Sequence, residues 1–312
     1  MLLARSRLFT LLATVALLAL FACAPEEVAP EVASTPEPTQ PIVIGVSLSN
    51  LDNPFFVALQ EGVLETAERL GATVVIEDAQ DDVQQQITQI ETLIAQQVDA
   101  LLINPVNSME IEQALQEAFD AGIPIFTVDR SANSEHVVAH IASDNVSGGR
   151  MAAAYLAEII NESGNVVELA GIPDTSAAQD RGLGFNNVIT IYPDIRIIAR
   201  ETANFNREQG HDVFAQLLAD NADIDGVFAH NDEMILGAIA AAREAGRLDE
   251  IAFVGFDAIE DAVVAIENGE LHATVAQQPK EMGRLSVETI LQYLDGESVS
   301  SFIPVDLALI TR

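Results

Sequence analysis

The sequence has no tryptophan, one cysteine, five histidines and only 5% aromatic residues. Its 14 Lys and Arg stand against 48 Asp and Glu, for a formal net charge of −34. Each shortage excludes something. A single cysteine, Cys23, permits no intramolecular disulfide, so a disulfide-stapled scaffold is ruled out. So few cations in such an excess of acid repel phosphate backbones, which excludes nucleic acid as a partner. There is no HExxH pair, no P-loop, no Ser-His-Asp signature and no cluster of metal ligands; His136 and His140 sit around a strand, not on one helix face. No catalytic residue, cofactor or metal is expected. The uncharged run from Leu8 to Phe21 has 14 residues, too few to span a bilayer comfortably.

That run follows Arg5 and Arg7 and ends at Ala22-Cys23, the layout of a secretory signal peptide over residues 1–22. Leu20-Phe21-Ala22-Cys23 resembles the lipobox of bacterial lipoproteins, which implies cleavage before Cys23 and lipidation of its thiol. An ordinary signal peptide with a chance cysteine is the alternative. Residues 24–41, APEEVAPEVASTPEPTQP, hold five prolines and four glutamates without periodicity. With Cys23 they read as a lipidated, extended tether over 23–41. The expected protein is anchored to a membrane and does not cross it.

From Ile42 onward, short β-branched and apolar runs alternate with helical patterns, and 49% of the 312 residues are hydrophobic, enough for a large core. Strands are predicted at 42–49, 73–78, 100–104, 124–129, 138–143, 165–170, 195–202, 226–229, 251–256 and 273–276. The intervening stretches repeat apolar residues every three or four positions, and Gly71, Gly122 and Gly246 fall where helices should end. Near-continuous apolar strands joined by helices mean parallel sheets covered on both faces. Some ten strands suggest two such sheets, hence an α/β protein of two lobes.

Open parallel sheets bind ligands beyond the carboxyl ends of their strands. Read by that rule, the candidates are Ser49 to Phe56 after the first strand, Asn104 after the third, and Asp129-Arg130 after the fourth. His230-Asn231-Asp232 follow the eighth, Phe256-Asp257 the ninth and Gln277 the tenth. Each has a plainer explanation. Asn53 before Pro54 is a good helix cap, Asp129 and Arg130 could pair on the surface, Asp257 could cap a helix, and Asn104 before Pro105 suits a turn. Phe55 and Phe56 stand side by side in SNLDNPFF. Adjacent helical positions diverge by about 100°, so both cannot centre on one core-facing stripe. Carboxylate, amide and guanidinium groups exchange hydrogen bonds with hydroxyls in both directions, and flat aromatic faces suit the C–H faces of a sugar. The set is what a small neutral sugar needs.

The motifs SNLDNPFF, LLINPVNS, IFTVDR, HIASDNVSGG, GIPDTSAAQDRGLGF, FAHNDEMILGA, VGFD, ATVAQQP and PVDL, in this order, resemble the ribose-binding proteins of bacterial ABC transporters across Ile42 to Arg312. The resemblance implies the type I periplasmic binding fold: two similar lobes, each a parallel sheet flanked by helices, joined by a three-crossing hinge near Ser143-Asp144, Gln277-Gln278 and Val305-Asp306. The N-terminal lobe would comprise 42–143 plus 278–305, and the C-terminal lobe 144–277 plus 306–312. It also implies that the ligand is held by Ser49, Asn53, Phe55, Phe56, Asn104, Asp129, Arg130, Arg181, Phe205, Asn231, Phe256, Asp257 and Gln277. Phe55 and Phe56 would face Phe205 and Phe256 across the sugar. D-Ribose is the implied ligand, with allose, arabinose, another pentose or hexose, or a furanose-like molecule as alternatives. An ABC transporter permease is the implied partner and a chemoreceptor a further one; the chain is expected to be a monomer outside the cytoplasm. An enzyme using Asp129 and Asp257 as an acid/base pair is a rival of another class. A regulator of the lac-repressor type shares the body fold but would carry a basic DNA-binding segment where this chain has its apolar leader and tether.

Overall fold

The computed structural model describes residues 41–312. Cys23, the leader and all of the tether before Pro41 lie outside the described residues. The described chain opens with β1 (Val43–Leu48), α1 (Pro54–Leu70), β2 (Thr73–Asp78), α2 (Val83–Ala95), β3 (Ala100–Ile103), α3 (Glu112–Asp120), β4 (Ile125–Val128) and β5 (Val137–Ser143). It continues with α4 (Asn145–Ile159), β6 (Ser163–Ala170), α5 (Ser176–Ile189), β7 (Asp194–Thr202), α6 (Arg207–Asp220), β8 (Gly226–Ala229) and α7 (Asp232–Glu244). Then come β9 (Ala252–Asp257), α8 (Glu260–Asn268), β10 (Ala273–Ala276), α9 (Pro279–Leu294), β11 (Phe302–Val305) and β12 (Ala308–Thr311).

Two six-stranded sheets result, ordered β11-β5-β4-β3-β1-β2 and β12-β10-β9-β8-β6-β7. All ten predicted strands are present. Every pairing is parallel except that β12 runs antiparallel to β10, so the second sheet is mixed at one edge. Inner strands such as β3, β4 and β8 are buried at every position, which is why they read as continuous apolar runs. Each sheet has one apolar cluster on either side, Phe126 and Val128 against Ile90 and Leu101 in the first, Phe214 and Phe253 against Phe185 and Phe228 in the second. Burial of each such side chain contributes roughly 1.5–3 kcal/mol. The chain crosses between the sheets after Ser143, after β10 and between β11 and β12.

Polar residues at strand ends start the helices. Asn53 accepts from Phe55 N–H with Pro54 in the first turn, Asp82 caps α2, Thr175 caps α5, Asn206 caps α6 and Asn231 caps α7. Paired glycines bring three helix pairs close. A Cβ on Gly62 or Gly283 would strike the backbone across the α1–α9 contact, one on Gly149 or Gly184 across α4–α5, and one on Gly210 or Gly237 across α6–α7. The α9 contact seats a late helix on the first lobe, beside β11.

Candidate functional site

The carboxyl ends of both sheets face one cavity with about 240 Å³ of empty space. Asn53, Phe55 and Phe56 come from the start of α1, and Asp129 and Arg130 from the end of β4. Ala177 and Arg181 come from α5, Phe205 and Asn231 from the turns before α6 and α7, and Asp257 and Gln277 from the ends of β9 and β10. Of the expected residues, Ser49, Asn104 and Phe256 are not in this lining.

Those three sit one layer back. Asn104 receives Ser49 N–H on Oδ1 (3.3 Å) and donates from Nδ2 to Val128 O (3.0 Å) and Asp129 Oδ2 (3.1 Å). Its amide is fully engaged in holding Asp129. Phe256 was expected to oppose Phe55 and Phe56. It is instead wholly buried beneath Arg181, whose guanidinium carbon lies 3.9 Å above the ring centre. The reason is its place inside β9: the strand runs through Asp257, so Phe256 points away from the cavity that Asp257 reaches. Ser49 is buried with its Oγ unpartnered.

Arg181 is fixed on several sides. Its Nε donates to Asn145 Oδ1 (2.8 Å), and one terminal nitrogen donates to His230 O (2.6 Å) and faces Asp257 Oδ1 (3.4 Å). Arg130 donates to Pro105 O (3.3 Å) and lies between Phe56 and Phe205, 5.2 Å from each ring centre. Burial lowers its pKa, opposed by Asp129. Phe55 and Phe56 meet edge to face at 5.2 Å, so both are buried although they point in different directions.

Protein hydrogen bonds go to Oδ2 of Asp129 and Oδ1 of Asp257, which leaves the second oxygen of each free to accept. Gln277 Nε2 donates to Asp257 (2.8 Å), and its buried Oε1 has no partner among the described residues. Asp129, Phe205 and Asp257 have φ of 61°, 59° and 119°. Such backbone costs roughly 1–3 kcal/mol per residue and persists where the surroundings over-determine it. Acceptors and donors are thus held at fixed points around a small space.

Asp257 has its pKa pushed up to about 7, chiefly by burial, against the opposing effects of Arg181 and Gln277. Asp232, buried at the head of α7, is pushed up too, by burial and by Asp257. Because the folded value lies above the usual 3.8, the stability linked to Asp257 is complete below about pH 3.8 and lost as pH rises through about 7. The unliganded protein is expected to lose thermal stability between about pH 4 and about pH 7, and Asp257→Asn to lose less. Thermal unfolding over that range checks this; parallel slopes for the two proteins would refute it.

Residues 44–298 match the periplasmic binding protein domain family. The chain belongs to that family. As a periplasmic binding protein it is 43% identical to the ribose import binding protein RbsB of Bacillus subtilis, over 86% of this chain and 87% of that one. It is 40% identical to RbsB of Escherichia coli, over 86% and 90% of the two chains. Among solved structures it resembles a solute binding protein from Actinobacillus succinogenes with bound D-allose, with a TM-score of 0.82 and 30% identity over 86% of this chain and 97% of that one. It also resembles a galactofuranose binding protein, with a TM-score of 0.84 and 31% identity over 87% and 95%. Every cavity residue from Asn53 to Gln277 lies inside the family match. Sequence reasoning missed Ala177 and Asn145. Asn145 stands inside the quoted HIASDNVSGG, but only the packing of α4 on α5 reveals its bond to Arg181.

Proposed function

We propose that this periplasmic binding protein captures a monosaccharide, D-ribose, between its two lobes outside the cytoplasm and delivers it to the permease of an ABC transporter. The observation that carries the reading is the cavity: two carboxylates with one oxygen free each, two guanidinium groups and an unpartnered amide oxygen, closed in by Phe55, Phe56 and Phe205. The space these groups surround is small, which favours a small polyol over a bulky ligand. The RbsB relatives support ribose among the sugars. The D-allose complex of a similar protein supports a hexose as the second reading.

Sugar enters while the lobes are apart, and contacts from both lobes stabilise closure. Asp129 and Asp257 act as hydroxyl acceptors in this reading, not as an acid/base pair, and no reaction is catalysed. The closed form is what the permease reads, and a chemoreceptor is a second reader by family analogy. Lipidation at Cys23 and the 23–41 tether would keep a monomeric body near the membrane. The test is titration calorimetry of residues 42–312, freed of sugar by unfolding and refolding, with D-ribose, D-allose, L-arabinose, D-xylose and D-galactose. One-to-one binding of D-ribose is expected, with the others at least about a hundredfold weaker, a gap of ~2.7 kcal/mol. Tighter binding of another sugar would overturn ribose, and no heat from any of the five would overturn the sugar reading.

A further inference from the structure

Behind the cavity, in the second lobe, lies a chain of buried polar groups that the binding reading does not use. His230, 2% exposed, places its Nε2 3.0 Å from Glu168 Oε1 and its Nδ1 3.3 Å from the Gly171 backbone nitrogen. Glu168, on β6, also receives Arg200 Nε from β7 (2.5 Å) and Asn186 from α5 (3.1 Å). An amide N–H can only donate, so Nδ1 must be the bare ring nitrogen, and the ring proton sits on Nε2, given to Glu168.

This ring connects to three walls of the cavity. The His230 carbonyl accepts from Arg181 (2.6 Å). The next residue, Asn231, donates from Nδ2 to Phe205 O (3.1 Å). Gly171, held by the ring, lies so close under Phe205 that a Cβ there would run into the aromatic ring. We propose that His230 is a positioning residue for the ligand site, and that protonation of its ring releases Gly171 and with it the Phe205 wall, making affinity fall in acid. The second proton has only one place to go, Nδ1, where it would face the Gly171 N–H, donor against donor. Ligand affinity then drops although His230 touches no ligand atom.

The charged groups facing the ring are Glu168 on β6, Arg200 on β7 and Arg181 on α5. Burial, together with the two guanidinium groups, holds the ring below its usual 6.5, while Glu168 opposes them. The acid loss therefore sets in below about pH 6.5. Asp257 titrates in a neighbouring range and weakens binding in acid as well, so the experiment is a comparison of variants that all retain Asp257.

The affinity part rests on the D-ribose reading above. In His230→Asn, the side-chain oxygen takes the position of Nδ1 and still accepts from Gly171. In His230→Gln, the amide nitrogen takes the position of Nε2 and serves Glu168 alone. Calorimetry with D-ribose from pH 7.5 to pH 4.5 is expected to show wild-type affinity falling by at least about fivefold more than that of His230→Asn. At pH 7.5, His230→Gln is expected to bind at least about fivefold more weakly than His230→Asn. Equal acid losses in wild type and His230→Asn, or equal affinities of the two variants, would overturn the proposal. The Gly171 amide resonance provides a readout that needs no ligand. It should shift with pH in wild type and stay still in His230→Asn, and a silent Gly171 in wild type would also overturn the proposal. Should wild type fail to bind D-ribose, the sugar reading falls, and the Gly171 titration alone decides the role of His230.

Discussion

Arg181→Ala is expected to weaken D-ribose binding by at least about a hundredfold. Arg181 is 3% exposed, and its contacts to Asn145, the His230 carbonyl and Asp257 aim the rest of the guanidinium at the ligand. Hydrogen bonds to charged groups contribute roughly 1.5–3 kcal/mol each, so two of them lost to a sugar hydroxyl pair amount to ~3–6 kcal/mol. At about 1.4 kcal/mol per decade, a hundredfold is the low end of that range. The change also removes the cation beside Asp257, whose carboxyl would hold its proton to still higher pH and accept less well. Arg181→Lys should recover little, because one ammonium cannot reach Asn145, His230 O and the ligand together. Titration calorimetry measures both variants, with thermal unfolding as the check on folding. Wild-type affinity in Arg181→Ala would mean that the cavity is not the sugar site.

Gly184→Ala is expected to cost about 2–3 kcal/mol of stability and about tenfold in affinity, although Gly184 is not in the cavity lining. Its Cβ would strike the Val146 carbonyl, and across the same contact Gly149 abuts the Arg181 carbonyl. These neighbours are backbone and cannot turn aside as a flexible side chain could. The helices must separate, and that pulls Arg181 on α5 away from Asn145 on α4. Gly122→Ala is the control. Its φ is +78° with nothing within 4 Å, so it should cost about 1 kcal/mol in backbone strain and leave affinity unchanged. Chemical denaturation gives the first number and calorimetry the second. A Gly184→Ala protein as stable as wild type would show that the helix pair tolerates separation.

The sequence announced most of this architecture because its inner strands are buried on both faces and so carry long apolar runs. The edges were harder. β11 and β12 have four residues each, β11 contains Pro304, and both are half exposed, so neither offers a strong period. The antiparallel direction of β12 depends on the route of the chain from one sheet to the other, which no local pattern encodes. At the cavity, residues at strand ends could be listed by rule, but depth could not be read. Phe256 stands next to Asp257 in the chain and Asn104 one strand from Asp129, yet they support cavity residues without lining the space themselves. Asn145 and His230 act across helix and strand contacts, so their partners, Arg181, Glu168 and Gly171, are 36, 62 and 59 positions away.

The two edge strands also bear on how the protein is made. β11 completes the first sheet and β12 the second, and α9, which packs on α1 and β11, immediately precedes them in the chain. A ribosome delivers these elements after everything else described here. Until residues 302–311 emerge, both sheets keep an unpaired edge open, whatever the degree of order in their inner strands. The growing chain therefore cannot finish one lobe early and wait for the other. Both lobes become complete within the synthesis of about ten residues, roughly one or two seconds of translation.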